Sequence, residues 1–138
     1  MTDMNVLDSI GNTPLLRVHR VLTDEAKANA VRVLLKMEMQ NPGGSIKDRI
    51  AKSMILDAEK NGRLKPGMTI VEYTSGNTGI GLAMVCAAKG YKCIIAMPQL
   101  PSFEERYISC RMFGADVHLT APAKGMPGLK GGFSLLLH

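Results

Sequence analysis

From Met68 onward, apolar runs of strand length alternate with helical stretches: "MTIVEY", "IGLAMVCAAKG", "YKCIIAMP", the segment Phe103 to Phe113, and "ADVHLT". Glycine-bearing turns separate them. No other feature constrains the fold as tightly. The strand runs are continuously apolar instead of alternating with polar residues, as burial on both faces requires. Strands joined through helices run parallel, because a parallel connection needs a dozen or more residues. The expected fold class is α/β: an open twisted parallel sheet with helices on both faces.

Upstream, "TPLLRVHR" and "VRVLLKME" read as short strands separated by the polar, helix-prone "TDEAKANA". Ile46, Ile50, Met54, Ile55 and Ala58 recur at helical spacing and predict an amphipathic helix from Ser45 to about Asn61. Ser45 with Asp48 three residues on fits a capping box, and Gly62 fits a C-terminal stop. The stretch ending at Gly90 is apolar on nearly every face, which predicts a buried helix. Three parts are expected: an N-terminal segment 1–40, a small α/β domain 41–120, and an atypical tail 121–138 rich in Gly and Pro.

A chain of 138 residues with 46% apolar and 21% charged residues can bury a core and is no disordered segment. The net charge of +5 comes from basic residues spread among acidic ones, with no basic run interleaved with aromatics, so nucleic acid is not the expected partner. No apolar run approaches the ~20 residues of a membrane span, and "MTDMNVLDSIGNTP" shows no signal-peptide pattern. Cys86, Cys93 and Cys110 form no C-x-x-C pair and fall in buried elements, which predicts core thiols in a reducing, cytoplasmic setting. His19, His118 and His138 lack metal-ligand spacing, and no metal site is expected.

Two loops have the composition of a site. Open parallel sheets bind ligands beyond the carboxyl ends of their strands. "TSGNTG", Thr74 to Gly79, joins a strand to a buried helix there, and its hydroxyls, amide and N–H groups suit a carboxylate or phosphate. It is neither a Walker loop nor a dinucleotide fingerprint. "NPGGS" precedes Lys47, which stands in the first turn of a helix, where a cation is disfavoured. A helix N-terminus favours the uncharged amine, the form that attacks a carbonyl carbon. An amine beside a carboxylate cradle is what pyridoxal phosphate chemistry on amino acids requires.

The segments "IGNTPLLRV", "KMEMQNPGGSIKDRIAKSMILDAEKNGRLKPG", "TIVEYTSGNTGIGLAMVCAAKGYKCIIAMP" and "RMFGADVHLTAPAKGMPG" resemble, in order, the amino-terminal part of the cysteine synthase and cystathionine β-synthase family of fold-type II pyridoxal-phosphate enzymes. The resemblance implies the small N-terminal domain of a tryptophan-synthase-β-like fold, with an incomplete large domain. It implies that Lys47 forms the Schiff base and that Asn77 binds the cofactor's 3′-oxygen. It further implies that Thr74, Ser75, Gly76 and Thr78 grip the substrate carboxylate. The activity implied is β-replacement on O-acetylserine by sulfide, giving cysteine, in a homodimer. Cystathionine β-synthase and β-cyanoalanine synthase are the nearest alternatives.

Three departures from the family pattern are visible. "PQLPSFEERY" is one residue longer than the family's Ser-x-Glu-Arg-Arg run, with Tyr107 where the second Arg belongs, so this loop is expected to be displaced. "LKGGFSLLLH" replaces a helix expected after "AKGMPG". The family's carboxyl-terminal half, with its phosphate-binding loop, has no counterpart, and "KGMPGLKGG" is not expected to replace that loop. A different class of function follows from this third departure: a catalytically silent chain that acts as a binding partner or is vestigial.

Overall fold

The computed structural model describes residues 4–120, so the expectations for 121–138, "KGMPGLKGG" among them, lie outside the described residues. The elements run β1 (Leu15–Val18), α1 (Asp24–Ala28), β2 (Val33–Lys36), α2 (Lys47–Lys60), β3 (Thr69–Tyr73), α3 (Asn77–Lys89), β4 (Lys92–Pro98), α4 (Glu104–Met112) and β5 (Asp116–Thr120). Strands β3, β4 and β5 form the expected parallel sheet in that order, with Ile70 beside Cys93 and Ile95 beside Val117. These four residues and Met97 are buried, and α3 and α4 pack against each other and against that face. Val71, Ile94 and Ala96 alternate to the opposite face and are half-buried.

Helix α3 is apolar all round because it has neighbours all round. Gly79 and Gly81, two residues and therefore about 200° apart on the helix, mark its two contacts. A Cβ on Gly79 would lie 3.3 Å from Ile95 and 3.4 Å from Met97, on the sheet side. One on Gly81 would lie 3.1 Å from the main-chain oxygen of Lys47 and 3.2 Å from the Cβ of Ala51, on the α2 side. The helix ends where predicted, with Gly90 left-handed at φ 77°.

That close crossing also corrects the expected face of α2. The buried residues are Asp48, Ala51, Ile55 and Ala58, whereas Ile46 and Ile50 are exposed. The small side chain of Ala51 lets the two backbones approach, so the first turns of the helix present Ala51, not Ile50, toward α3, while Ile55 and Ala58 are buried as expected. The helix also starts two residues later than expected, at Lys47.

Strands β1 and β2 pair antiparallel as a separate sheet, with Leu15 opposite Lys36 and Leu16 opposite Leu35. Leu15, Leu16, Leu34 and Leu35 are each about half exposed, at 56, 47, 50 and 53%. The preceding segment is held to α2 by a polar cluster. Glu38 accepts from Arg49 Nε at 2.7 Å, from Arg49 Nη2 at 2.9 Å and from Thr13 Oγ1 at 2.7 Å. Asn41 donates to Glu38 at 3.0 Å and accepts from the Gly11 N–H at 2.8 Å. The Arg49 hydrogen bonds, then that of Thr13, hold the Glu38 carboxyl down at about 2.

Candidate active site

Helices α2 and α3 meet near their N-termini, because Gly81 lies only four residues into α3 and rests on the backbone of Lys47. The sheet supplies the strand end and the glycines supply the approach. Two of the expected site elements, Lys47 and the "TSGNTG" segment, thereby come to one end of the molecule.

Lys47 is the first residue of α2 and its side chain is exposed. Among the described residues its amine has no hydrogen-bond or ion-pair partner, while its backbone N–H donates to Ser45 Oγ at 3.1 Å. The expected capping box is absent. Asp48 reaches past Ser45 instead, and its carboxylate accepts from the Gly43 N–H at 2.6 Å. A Cβ on Gly43 would fall 2.5 Å from Asp48 Oδ1, so glycine is what lets the loop fold over this carboxyl. Asp48 is wholly buried, and among the described residues its Oδ1 has no partner. Burial pushes its carboxyl above the ordinary aspartate range, opposed by the Gly43 N–H and reinforced by the negative charge of Glu38.

The second loop is shorter than expected, because α3 already begins at Asn77. Thr74 continues the sheet ladder, donating its N–H to the Ala96 carbonyl at 3.0 Å. Its Oγ1 accepts from the Gly76 N–H at 3.2 Å. Its methyl occupies the space a side chain on Gly79 would need, at 2.6 Å from that Cβ position. The Ser75 carbonyl accepts from Arg106 Nη1 at 2.8 Å. Asn77 is exposed and Thr78 half-buried in the first turn of α3. No acidic side chain occupies that turn, and no side chain caps it. The open N–H groups of such a turn attract an anion.

Three further residues hold this region together. Arg106 binds the Ser75 carbonyl, and its guanidinium carbon stacks 4.6 Å from the ring centre of Phe103. Tyr107 is buried, accepts from the Leu100 N–H at 2.7 Å and donates toward the carbonyls of Leu100 and Pro98. The residue that departs from the family pattern thus ties the loop after β4 to α4. The buried Asp48 is the third, expected from the sequence only as part of a capping box. All three cysteines are buried and free, as expected, and His19 and His118 are exposed. Among the described residues no cluster of metal-binding side chains occurs, and no helix is long and apolar enough to cross a membrane.

Residues 6–132 match the family model described as pyridoxal-phosphate dependent enzyme. The cysteine synthase of Staphylococcus aureus (strain N315) is 52% identical over 124 residues, 90% of this chain and 38% of the relative. The probable cysteine synthase of Bacillus subtilis (strain 168) gives the same figures. Among solved structures, an O-ureido-L-serine synthase superposes with a TM-score of 0.80 at 46% identity, over 90% of this chain and 37% of the other. The cysteine synthase of Entamoeba histolytica gives 0.79 at 45%, over 90% and 36%. The chain spans about 38% of the length of the bacterial relatives. With 127 consecutive positions matched, 6 through 132, the chain belongs to the pyridoxal-phosphate dependent enzyme family.

Proposed function

We propose that this chain carries the amine and carboxylate half of a cysteine-synthase-type site. Pyridoxal 5′-phosphate is the cofactor, and a β-substituted serine such as O-acetylserine and sulfide are the substrates. The observation that carries the proposal is that Lys47, exposed and without a side-chain partner among the described residues, starts α2 where its backbone rests on Gly81, four residues past the uncapped start of α3. The residues present fit the cofactor in one respect: among the described residues the Lys47 amine has no partner and is available for the covalent link. When bound, the cofactor supplies an electron sink for carbanion chemistry at the amino acid's Cα.

The chain's own residues do the rest. Lys47 Nζ would hold the cofactor covalently and would be the base that carries the proton from Cα. Asn77, exposed at the start of α3, would hold the cofactor's 3′-oxygen. Thr74, Ser75, Gly76 and Thr78 hold the substrate carboxylate against the helix N-terminus, which orients Cα toward Lys47. Acetate leaves from Cβ and hydrosulfide adds there, so one C–O bond is exchanged for one C–S bond.

In this reading residues 41–120 are the small domain of the family fold and residues 1–40 pair with further sheet. The half-exposed leucines of β1 and β2 support that division. They equally favour the second reading, a chain whose role is to bind a partner, since they form an apolar surface of the kind that marks an interface. A homodimer and a cytoplasmic location complete the proposal, the latter supported by three free thiols. The test is a titration of the chain with pyridoxal phosphate, followed by visible absorbance, beside Lys47→Ala. A saturable band absent from the variant supports the catalytic reading. No band from folded chain refutes it and favours the partner-binding one.

A further inference from the structure

The peptide unit between Ser75 and Gly76 is held at both ends. Its carbonyl accepts from Arg106 Nη1 at 2.8 Å, and its N–H donates to Thr74 Oγ1 at 3.2 Å. The plane of a peptide is rigid, so two such contacts decide which way both dipoles face. The orientation matters because a carbonyl turned toward an anion repels it, whereas N–H groups attract it. The guanidinium is itself constrained: it stacks on Phe103, and it lies 3.4 Å from the position of a Cβ on Gly76. Its helix is fastened by the next residue, Tyr107, to the loop after β4.

We infer that Arg106 is a positioning residue for the carboxylate loop: it keeps the Ser75 carbonyl turned away from the N-terminus of α3, so that the N–H groups of the first turn alone face the ligand. A lysine in its place keeps a donor for the carbonyl and loses the planar stack on Phe103, so it restores the peptide orientation in part. The carboxylate side of this inference rests on the proposed function; the peptide orientation does not.

The experiment is amide–water exchange in the full chain by NMR, for wild type, Arg106→Gln, Arg106→Ala and Arg106→Lys, without added cofactor. Exchange at Gly76 is expected to rise about tenfold in the Ala and Gln variants. The Lys variant should recover at least part of the difference, while the buried β4 amides of Cys93 and Ile95 keep their wild-type rates. A second arm titrates acetate as the carboxylate probe and follows the Asn77 and Thr78 amides, expecting several-fold weaker binding in Arg106→Ala. Unchanged exchange at Gly76, or a rise shared equally by β4, overturns the inference. Faster exchange with no acetate response in any chain leaves the orientation role standing and removes the carboxylate reading of the loop.

Discussion

Thr74 and Gly79 should be coupled through a single methyl group. A Cβ on Gly79 would sit 2.6 Å from Thr74 Cγ2, well inside contact distance, with Ile95 and Met97 at 3.3 and 3.4 Å. Thr74 cannot swing aside cheaply, because its backbone is in the sheet ladder and its hydroxyl accepts from Gly76. Overpacking of this kind costs about 1–3 kcal/mol. Alanine in place of glycine returns at most ~1 kcal/mol of helix propensity, less at the third position of a helix. Gly79→Ala should therefore destabilise by about 1–2 kcal/mol. Thr74→Ser deletes the offending methyl and keeps the hydroxyl, losing about 0.8 kcal/mol of apolar burial at most. The double variant should then lie within about 1 kcal/mol of wild type, a coupling of roughly 1–2 kcal/mol. Urea unfolding of the four chains measures it. A coupling below about 0.5 kcal/mol would refute the packing argument, because the two residues would then not compete for space.

Glu38 contributes stability above pH 4.5 that is lost as the pH falls toward its folded value of about 2, so Glu38→Gln should flatten the acid limb of stability against pH. Asp48 has the opposite sign. Its folded carboxyl is raised, so stability is full below the unfolded value of 3.8 and declines as the pH rises through the folded one. Asp48→Asn keeps an acceptor for the Gly43 N–H and should raise stability at pH 7 but not at pH 3, as read by chemical denaturation at each. Burial first, then Cys93, pushes the Cys110 thiol up to about 11; a hydrogen bond to Cys86, then burial, raises Cys93. A thiol–disulfide reagent at pH 8 should therefore leave the native chain untouched over minutes and titrate all three cysteines in denaturant; rapid native reaction would contradict their burial.

Most of the α/β core was legible because it is written in apolar runs. β3, α3, β4 and β5 lie where "MTIVEY", "IGLAMVCAAKG", "YKCIIAMP" and "ADVHLT" predicted, and Gly90 and Gly114 end their helices with positive φ. Periodicity placed Ile55 and Ala58 correctly on α2 and missed at Ile46 and Ile50, because it ranks residues by apolarity, whereas the crossing with α3 selects them by size: Ala51 goes in and Ile50 stays out. The capping box failed because Asp48 had a second N–H within reach, that of Gly43, and loop geometry decided between them. Arg106 was invisible for a related reason. Its partner is a backbone carbonyl thirty-one residues away, and a carbonyl has no sequence signature.

The packing of α3 bears directly on chemistry. Its sheet-facing notch at Gly79 seats Thr74, and its opposite notch at Gly81 seats the backbone of Lys47. Lys47 and the loop proposed to hold the carboxylate are therefore positioned by two steps on one helix, with no direct contact needed between them. Widening either step should move one group and not the other. Gly81→Ala must push the start of α2 outward by a few tenths of an ångström, since backbone at 3.1 Å cannot rotate away. The resulting strain of about 1–2 kcal/mol, net of helix propensity, falls on Lys47. Amide chemical shifts should then change at residues 45–51 and remain constant at 74–76. Equal shifts at both ends would mean that α3 yields as a rigid rod, and that the two notches are not independent.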